Sequence, residues 1–138
     1  MARERDVRVR RVYDQPSPDD GQRLLVDRLW PRGLSKADAH LDEWVKAVAP
    51  SDDLRHWYAH DPARFAEFRR RYADELREPE RTAGLTHLED AADRGTMTLL
   101  TATKDAAHSE AAVLAEMLRP GGTDGARGEA DMPGDSAS

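Results

Sequence analysis

Two short apolar runs, Leu24-Leu25-Val26 and Met97-Thr98-Leu99-Leu100-Thr101, lie far apart in the sequence, with helical patterns filling the space between them. Each run is continuous rather than alternating, as expected of strands buried on both faces. Strands joined through helices pair in parallel, because a parallel pair needs a long crossover and a tight hairpin cannot supply one. Val7 to Tyr13 adds a third strand, with Val7 and Val9 alternating with Arg8 and Arg10. The expected fold class is therefore α/β: a small three-layer domain with a short, largely parallel sheet flanked by helices. Three strands make a thin sheet, which leaves room for one more short strand.

The helices are bounded by their own signals. Asp14 to Gly21 is a loop rich in turn residues, and Ser35 caps a short helical turn. Leu41, Trp44, Val45 and Val48 fall at helical spacing and predict a helix over Leu41–Val48, stopped by Pro50. Ser51 caps the next helix, with Asp52 and Asp53 in its first turn and Leu54, Trp57 and Tyr58 along it. Asp61-Pro62 is a second start signal. Behind it Phe65, Phe68, Tyr72 and Leu76 form one apolar stripe, with Pro79 as the expected stop. Leu85, Leu88 and Ala92 mark a further helix closed by Arg94-Gly95. A last helix follows the Ala102–His108 loop and runs to about Leu118.

The chain has 138 residues, 38% apolar and 35% charged. Residues 120–138 hold five Gly and two Pro, and Met132 is their one large apolar side chain. That composition predicts a disordered tail on a single domain spanning residues 1–119. The net charge of −6 argues against a nucleic-acid-binding field over the chain. No cysteine is present, which removes disulfides, thiolate nucleophiles and zinc–cysteine sites together. The N-terminal MARERDVRVR lacks an apolar stretch and no run is long enough to span a bilayer, so a cytoplasmic protein without membrane contact is expected. Arg outnumbers Lys by 18 to 3, as anion recognition or a GC-rich genome would each produce.

Ligands of open α/β sheets sit beyond the carboxyl ends of the strands. Three segments there carry chemistry. Asp27-Arg28-Leu29-Trp30-Pro31-Arg32-Gly33 leaves the second strand with two arginines around a stiff Trp-Pro pair. Paired guanidiniums suit a phosphate or carboxylate; the alternative is an internal ion pair of Asp27 with Arg28 or Arg32. Lys104, Asp105 and His108 follow the third strand. His108 has the chemistry of a general acid or base, and the helix start adds amides that favour an anion. The competing reading has Asp105 as a helix cap and His108 on the surface. His56 and His60 stand four apart, but no partnering Glu completes a zinc-hydrolase pattern, so no metal and no cofactor is expected. Arg69, Arg70 and Arg71 oppose the aromatic stripe and read as a solvated face.

The run Asp20-Gly21-Gln22-Arg23-Leu24-Leu25-Val26-Asp27-Arg28-Leu29-Trp30-Pro31-Arg32-Gly33 resembles the signature of the YeaO-like proteins, in the family called domain of unknown function 488. The resemblance continues through Trp44, Ala49-Pro50-Ser51, Leu54-Arg55, His60-Asp61-Pro62, Phe68, Tyr72, Glu75-Leu76, Thr98-Leu99-Leu100 and Lys104-Asp105 to His108, over roughly residues 7–119. It implies a shared fold and site but no settled reaction. Members commonly follow this His with Asn, where this chain has Ser109; larger relatives carry a cysteine motif nearby, where this chain has Thr101 and Thr103. Any thiol chemistry of those relatives therefore does not transfer. The expected function is binding of a small anionic ligand by Arg28, Arg32, Lys104 and Asp105, with Asp27 and His108 as the catalytic candidates if there is a reaction. A non-catalytic nucleic-acid-associated regulator or a protein-interaction domain is the alternative. Oligomeric state stays open.

Overall fold

The computed structural model describes residues 5–119. Residues 120–138, expected to form a tail, lie outside the described part. Four strands build one sheet: β1 (Val7–Arg11), β2 (Gln22–Leu25), β3 (Glu43–Trp44) and β4 (Met97–Thr101), in the order β1-β4-β2-β3. Every neighbouring pair is parallel, with Val7 opposite Met97 and Leu25 opposite Leu100. β4 lies at the centre and all five of its residues are buried, which explains its unbroken apolar character.

Side chains alternate across the sheet and feed two cores. Leu24, Val26, Met97 and Leu99 pack with Phe68, Tyr72, Leu88 and Leu114 on one side. These last come from α3 (Phe65–Glu75), α4 (Pro79–Arg94) and α5 (Glu110–Leu118). Leu25, Leu100 and Val12 face the other way, toward Ala39 of α1 (Lys36–Ala39) and the partly buried Trp30 and Trp44. The three expected layers are present, one of them thin.

The β1–β2 connection is held by polar contacts. Ser17 and Asp20 close a capping box on the 3-10 turn Pro18–Asp20. Gly21 follows at φ 63°, where a side chain would meet the Thr96 carbonyl oxygen at 2.3 Å. Glycine is therefore the residue that lets the chain enter β2 against β4.

The helix expected over Leu41–Val48 does not form. His40, at φ 50°, ends α1, and the chain then runs extended as β3 before a 3-10 turn, Lys46–Val48. Long-range bonds decide this. Arg23 N–H donates to the Asp42 carboxylate at 2.8 Å, Asp42 N–H to the Arg23 carbonyl at 2.8 Å, and Val45 N–H to the Leu25 carbonyl at 2.8 Å. β3 is thus the short strand that three strands left room for.

The remaining helices match their signals closely. Ser51 Oγ accepts from Leu54 N–H at the start of α2 (Asp52–Tyr58), and Asp61 accepts from Ala63 N–H before α3. Phe68, Tyr72 and Leu76 are buried and Phe65 is partly so. Pro79, expected as the stop of α3, instead opens α4, while α3 ends earlier at Glu75. There the Glu75 carboxylate accepts from both Ser51 N–H and Ser51 Oγ–H, which ties the end of α3 to the start of α2. Among the described residues no helix is long and apolar enough to cross a membrane.

Candidate functional site

The carboxyl ends of β1, β2 and β4 open into a cleft of about 520 Å³. Its wall includes Tyr13 after β1, Asp27 to Arg32 after β2, Arg55, His56 and Tyr58 of α2, and Glu110 at the start of α5.

The Asp27–Arg32 loop is held rigidly. Trp44 Nε1–H donates to the Asp27 carbonyl at 2.7 Å, Trp30 Nε1–H to the Leu34 carbonyl at 2.6 Å, and Tyr13 O–H to the Arg32 carbonyl at 2.8 Å. The two indoles pack edge-on, 5.4 Å between centroids. A loop pinned at three points presents its side chains with little entropy left to lose on binding.

Those side chains are the two arginines. Arg28 pairs with Asp52 at 3.0 Å, and Arg55 reaches the same carboxylate at 2.6 Å. Two guanidiniums thus share one negative charge. Arg32 is exposed and forms no ion pair with any described residue. An internal lock of Asp27 onto Arg28 or Arg32 is not what the structure contains. Asp27 instead accepts from Thr101 Oγ–H at 2.8 Å and from Ala102 N–H at 2.8 Å, fastening the loop to the end of β4.

Asp27 has a further neighbour, the carboxyl of Glu110. Burial first, and then Asp27 beside it, push the Glu110 carboxyl well above the ordinary carboxylate range, with Arg55 pulling weakly the other way. The Glu110 carboxyl therefore holds its proton to higher pH than an ordinary carboxylate does. The residue as a whole is half-buried and lines the cleft.

Lys104, Asp105 and His108 line a second hollow of about 450 Å³. Tyr58, His60, Ala102 and Thr103 line both hollows and join them. Asp105 does not cap a helix: its carboxylate meets His108 Nδ1 at 2.8 Å, and Ser109 caps α5. The His108 ring also sits edge-on to Phe65 at 5.0 Å. Tyr58 O–H donates to the His108 carbonyl at 2.6 Å, and burial together with Asp105, Asp61 and Glu110 pushes its hydroxyl up to about 12, so it remains a donor.

The sequence-named residues therefore divide between two connected hollows: Asp27, Arg28 and Arg32 in the larger, Lys104, Asp105 and His108 in the smaller. Sequence reasoning missed Arg55 and Glu110 as parts of the site. It weighed His56 and His60 for a metal alone; both line the larger cleft, His60 beyond the end of α2 at φ 56°. Among the described residues no group of three or more His, Asp or Glu is placed to hold a metal ion. Glu110 carried a faint signal, as the acid in the first turn of a largely apolar helix.

The fold and cleft define a small α/β domain with an all-parallel sheet and a polar hollow at the strands' carboxyl edge. The chain belongs to the domain of unknown function 488 family: residues 6–132 match the family model described as "Inactive DUF488-N3 subclade". It is 51% identical over 118 residues to the uncharacterized protein Rv3073c of Mycobacterium tuberculosis, covering 86% of this chain and 98% of that protein. To the uncharacterized protein YeaO of Escherichia coli it is 41% identical over 114 residues, covering 83% of this chain and 97% of that protein. No solved structure is a significant match.

Proposed function

We propose that this domain binds a small molecule bearing a phosphate or carboxylate in the cleft at the strands' carboxyl edge. The observation that carries this reading is the pinned loop that offers Arg32 without a carboxylate partner among the described residues, beside Arg28 and Arg55 sharing Asp52. Positive charge is left over beside this loop in a chain of net charge −6. The volume suits a small ligand. The matching family model is described as an inactive subclade, which supports a binding role over a catalytic one. The bonds that Asp27 makes to Thr101 and Ala102 point the same way, since they tie its carboxylate to the end of β4.

The nucleic-acid alternative draws little support from α3 and its flanks. Arg69 pairs with Glu116, Arg70 and Arg71 with Glu67, Arg64 with Asp61 and Arg77 with Asp74. A face whose arginines already have acidic neighbours has little charge left for a phosphate backbone.

Calorimetric or NMR titration with inorganic phosphate and small carboxylates at low salt tests the reading. Saturable binding is expected, weakened roughly 10- to 100-fold by Arg32→Ala with the fold intact, the size of lost hydrogen bonds to a charged group. Absence of saturable binding by the unaltered protein would overturn it.

A further inference from the structure

We propose that the ligand of this cleft carries an aromatic ring beside its acidic group, and that the ring packs against Tyr13 and Leu29. The inference rests on the reading of the cleft as an anion site and names the chemical class of the rest of the ligand.

Among the described residues, Tyr13 and Leu29 are the large apolar side chains left exposed, at 41% and 64%. One exposed apolar side chain on a domain surface is ordinary. These two leave different strands, Tyr13 after β1 and Leu29 after β2, and both line the same cleft. A ligand that was only an acidic group would leave them in water. A ligand with an aromatic ring covers them, and gains apolar burial and ring packing together.

Tyr13 is also held in place. Its hydroxyl donates to the Arg32 carbonyl at 2.8 Å, and the Arg11 guanidinium carbon lies over its ring, 5.1 Å from the centroid. Arg11 Nε is buried with no hydrogen-bond partner among the described residues, so the attraction between ring and cation carries more of that contact. Arg11 is not part of the cleft wall, so the ring meets the cleft with the surface that Arg11 leaves uncovered. A ring fixed at its hydroxyl end and backed by a cation loses little freedom when a second ring is laid on it. The hydroxyl bond also sets the reach. It places the ring one hydrogen bond from the backbone of Arg32, the residue without an ion-pair partner among the described residues. An acidic group on Arg32 and a ring on Tyr13 therefore fit within one small molecule.

The test titrates methyl, cyclohexyl and phenyl phosphate by calorimetry at low salt and about pH 8, above the second phosphate pKa of about 6. Phenyl phosphate is expected to bind about tenfold more tightly than methyl phosphate, with the cyclohexyl ester between them. Tyr13→Leu should bring the phenyl-to-methyl ratio toward one. Tyr13→Phe loses the same bond to Arg32 but keeps the ring, and should hold the ratio even where both affinities fall. Leu29→Ala, which leaves that bond alone, should lower the ratio about threefold. Equal affinities for methyl and phenyl phosphate, or a cyclohexyl ester bound as tightly as the phenyl one, overturn the aromatic class and leave the anion site standing. A phenyl preference unchanged in Tyr13→Leu overturns Tyr13 as its platform. Failure of all three esters to bind overturns the anion reading as well.

Discussion

Asp20 and Arg23 form the most deeply buried ion pair among the described residues, with side chains 3% and 7% exposed and 2.5 Å between charged atoms. Burial pushes the Asp20 carboxyl up, but Ser17 N–H, Arg23 and Arg10 together outweigh it and hold the group below its usual value. Arg23 also donates to the Ala39 and His40 carbonyls, which closes the end of α1. Asp20→Ala is therefore expected to destabilise the domain by about 3–5 kcal/mol, because Arg23 would stay buried with its charge unmatched. Urea unfolding measures this; a loss under about 1 kcal/mol would mean that Arg23 swings out to water. Arg28 with Asp52 is the contrasting case. Both are exposed, so their pairing positions the guanidinium over the cleft and adds little to stability.

The α3 stripe is the element on which the larger core depends. Phe68 is 1% exposed and stacks on Tyr58 at 4.3 Å and on Tyr72 at 5.6 Å. Phe68→Ala should cost about 3–5 kcal/mol by leaving a cavity between α2, α3 and the sheet, read from the shift in urea midpoint. A cost near zero would show that the site collapses around the smaller residue. This helix was legible in the sequence because its deciding information is local: the Asp61-Pro62 start and apolar residues three and four apart on one face. β4 was legible for the same reason, since five buried residues in a row need no partner to be recognised. β3 was not. Its Leu41, Trp44, Val45 and Val48 have helical spacing, but their backbone follows bonds to Arg23 and Leu25, far back in the chain. Spacing reports which residues seek burial, and a two-residue edge strand is too short to impose its own period.

The candidate site divides in the same way. Arg28 and Arg32 stood out because they lie together in one loop, whereas the pairing of Asp27 with Glu110 exists only once β2 and α5 are brought together by the fold. That pairing has a consequence for the domain's stability. The folded state holds the Glu110 proton more tightly than the unfolded chain does. Its contribution is fully present below the unfolded carboxyl value of about 4.3, and stability falls as pH rises from there toward the raised folded value. Asp20 acts with the opposite sign: its contribution is present above an unfolded value of about 3.9 and is lost as pH falls through the lowered folded one. Glu110→Gln removes the first slope and keeps the second. The variant should match the unaltered protein near pH 4, just below the unfolded Glu value, and exceed it increasingly as pH rises toward neutral. Urea midpoints across that range measure the difference. A variant weaker by the same amount at every pH would mean that Glu110 is ionised in the folded protein, matched by Arg55, rather than protonated beside Asp27.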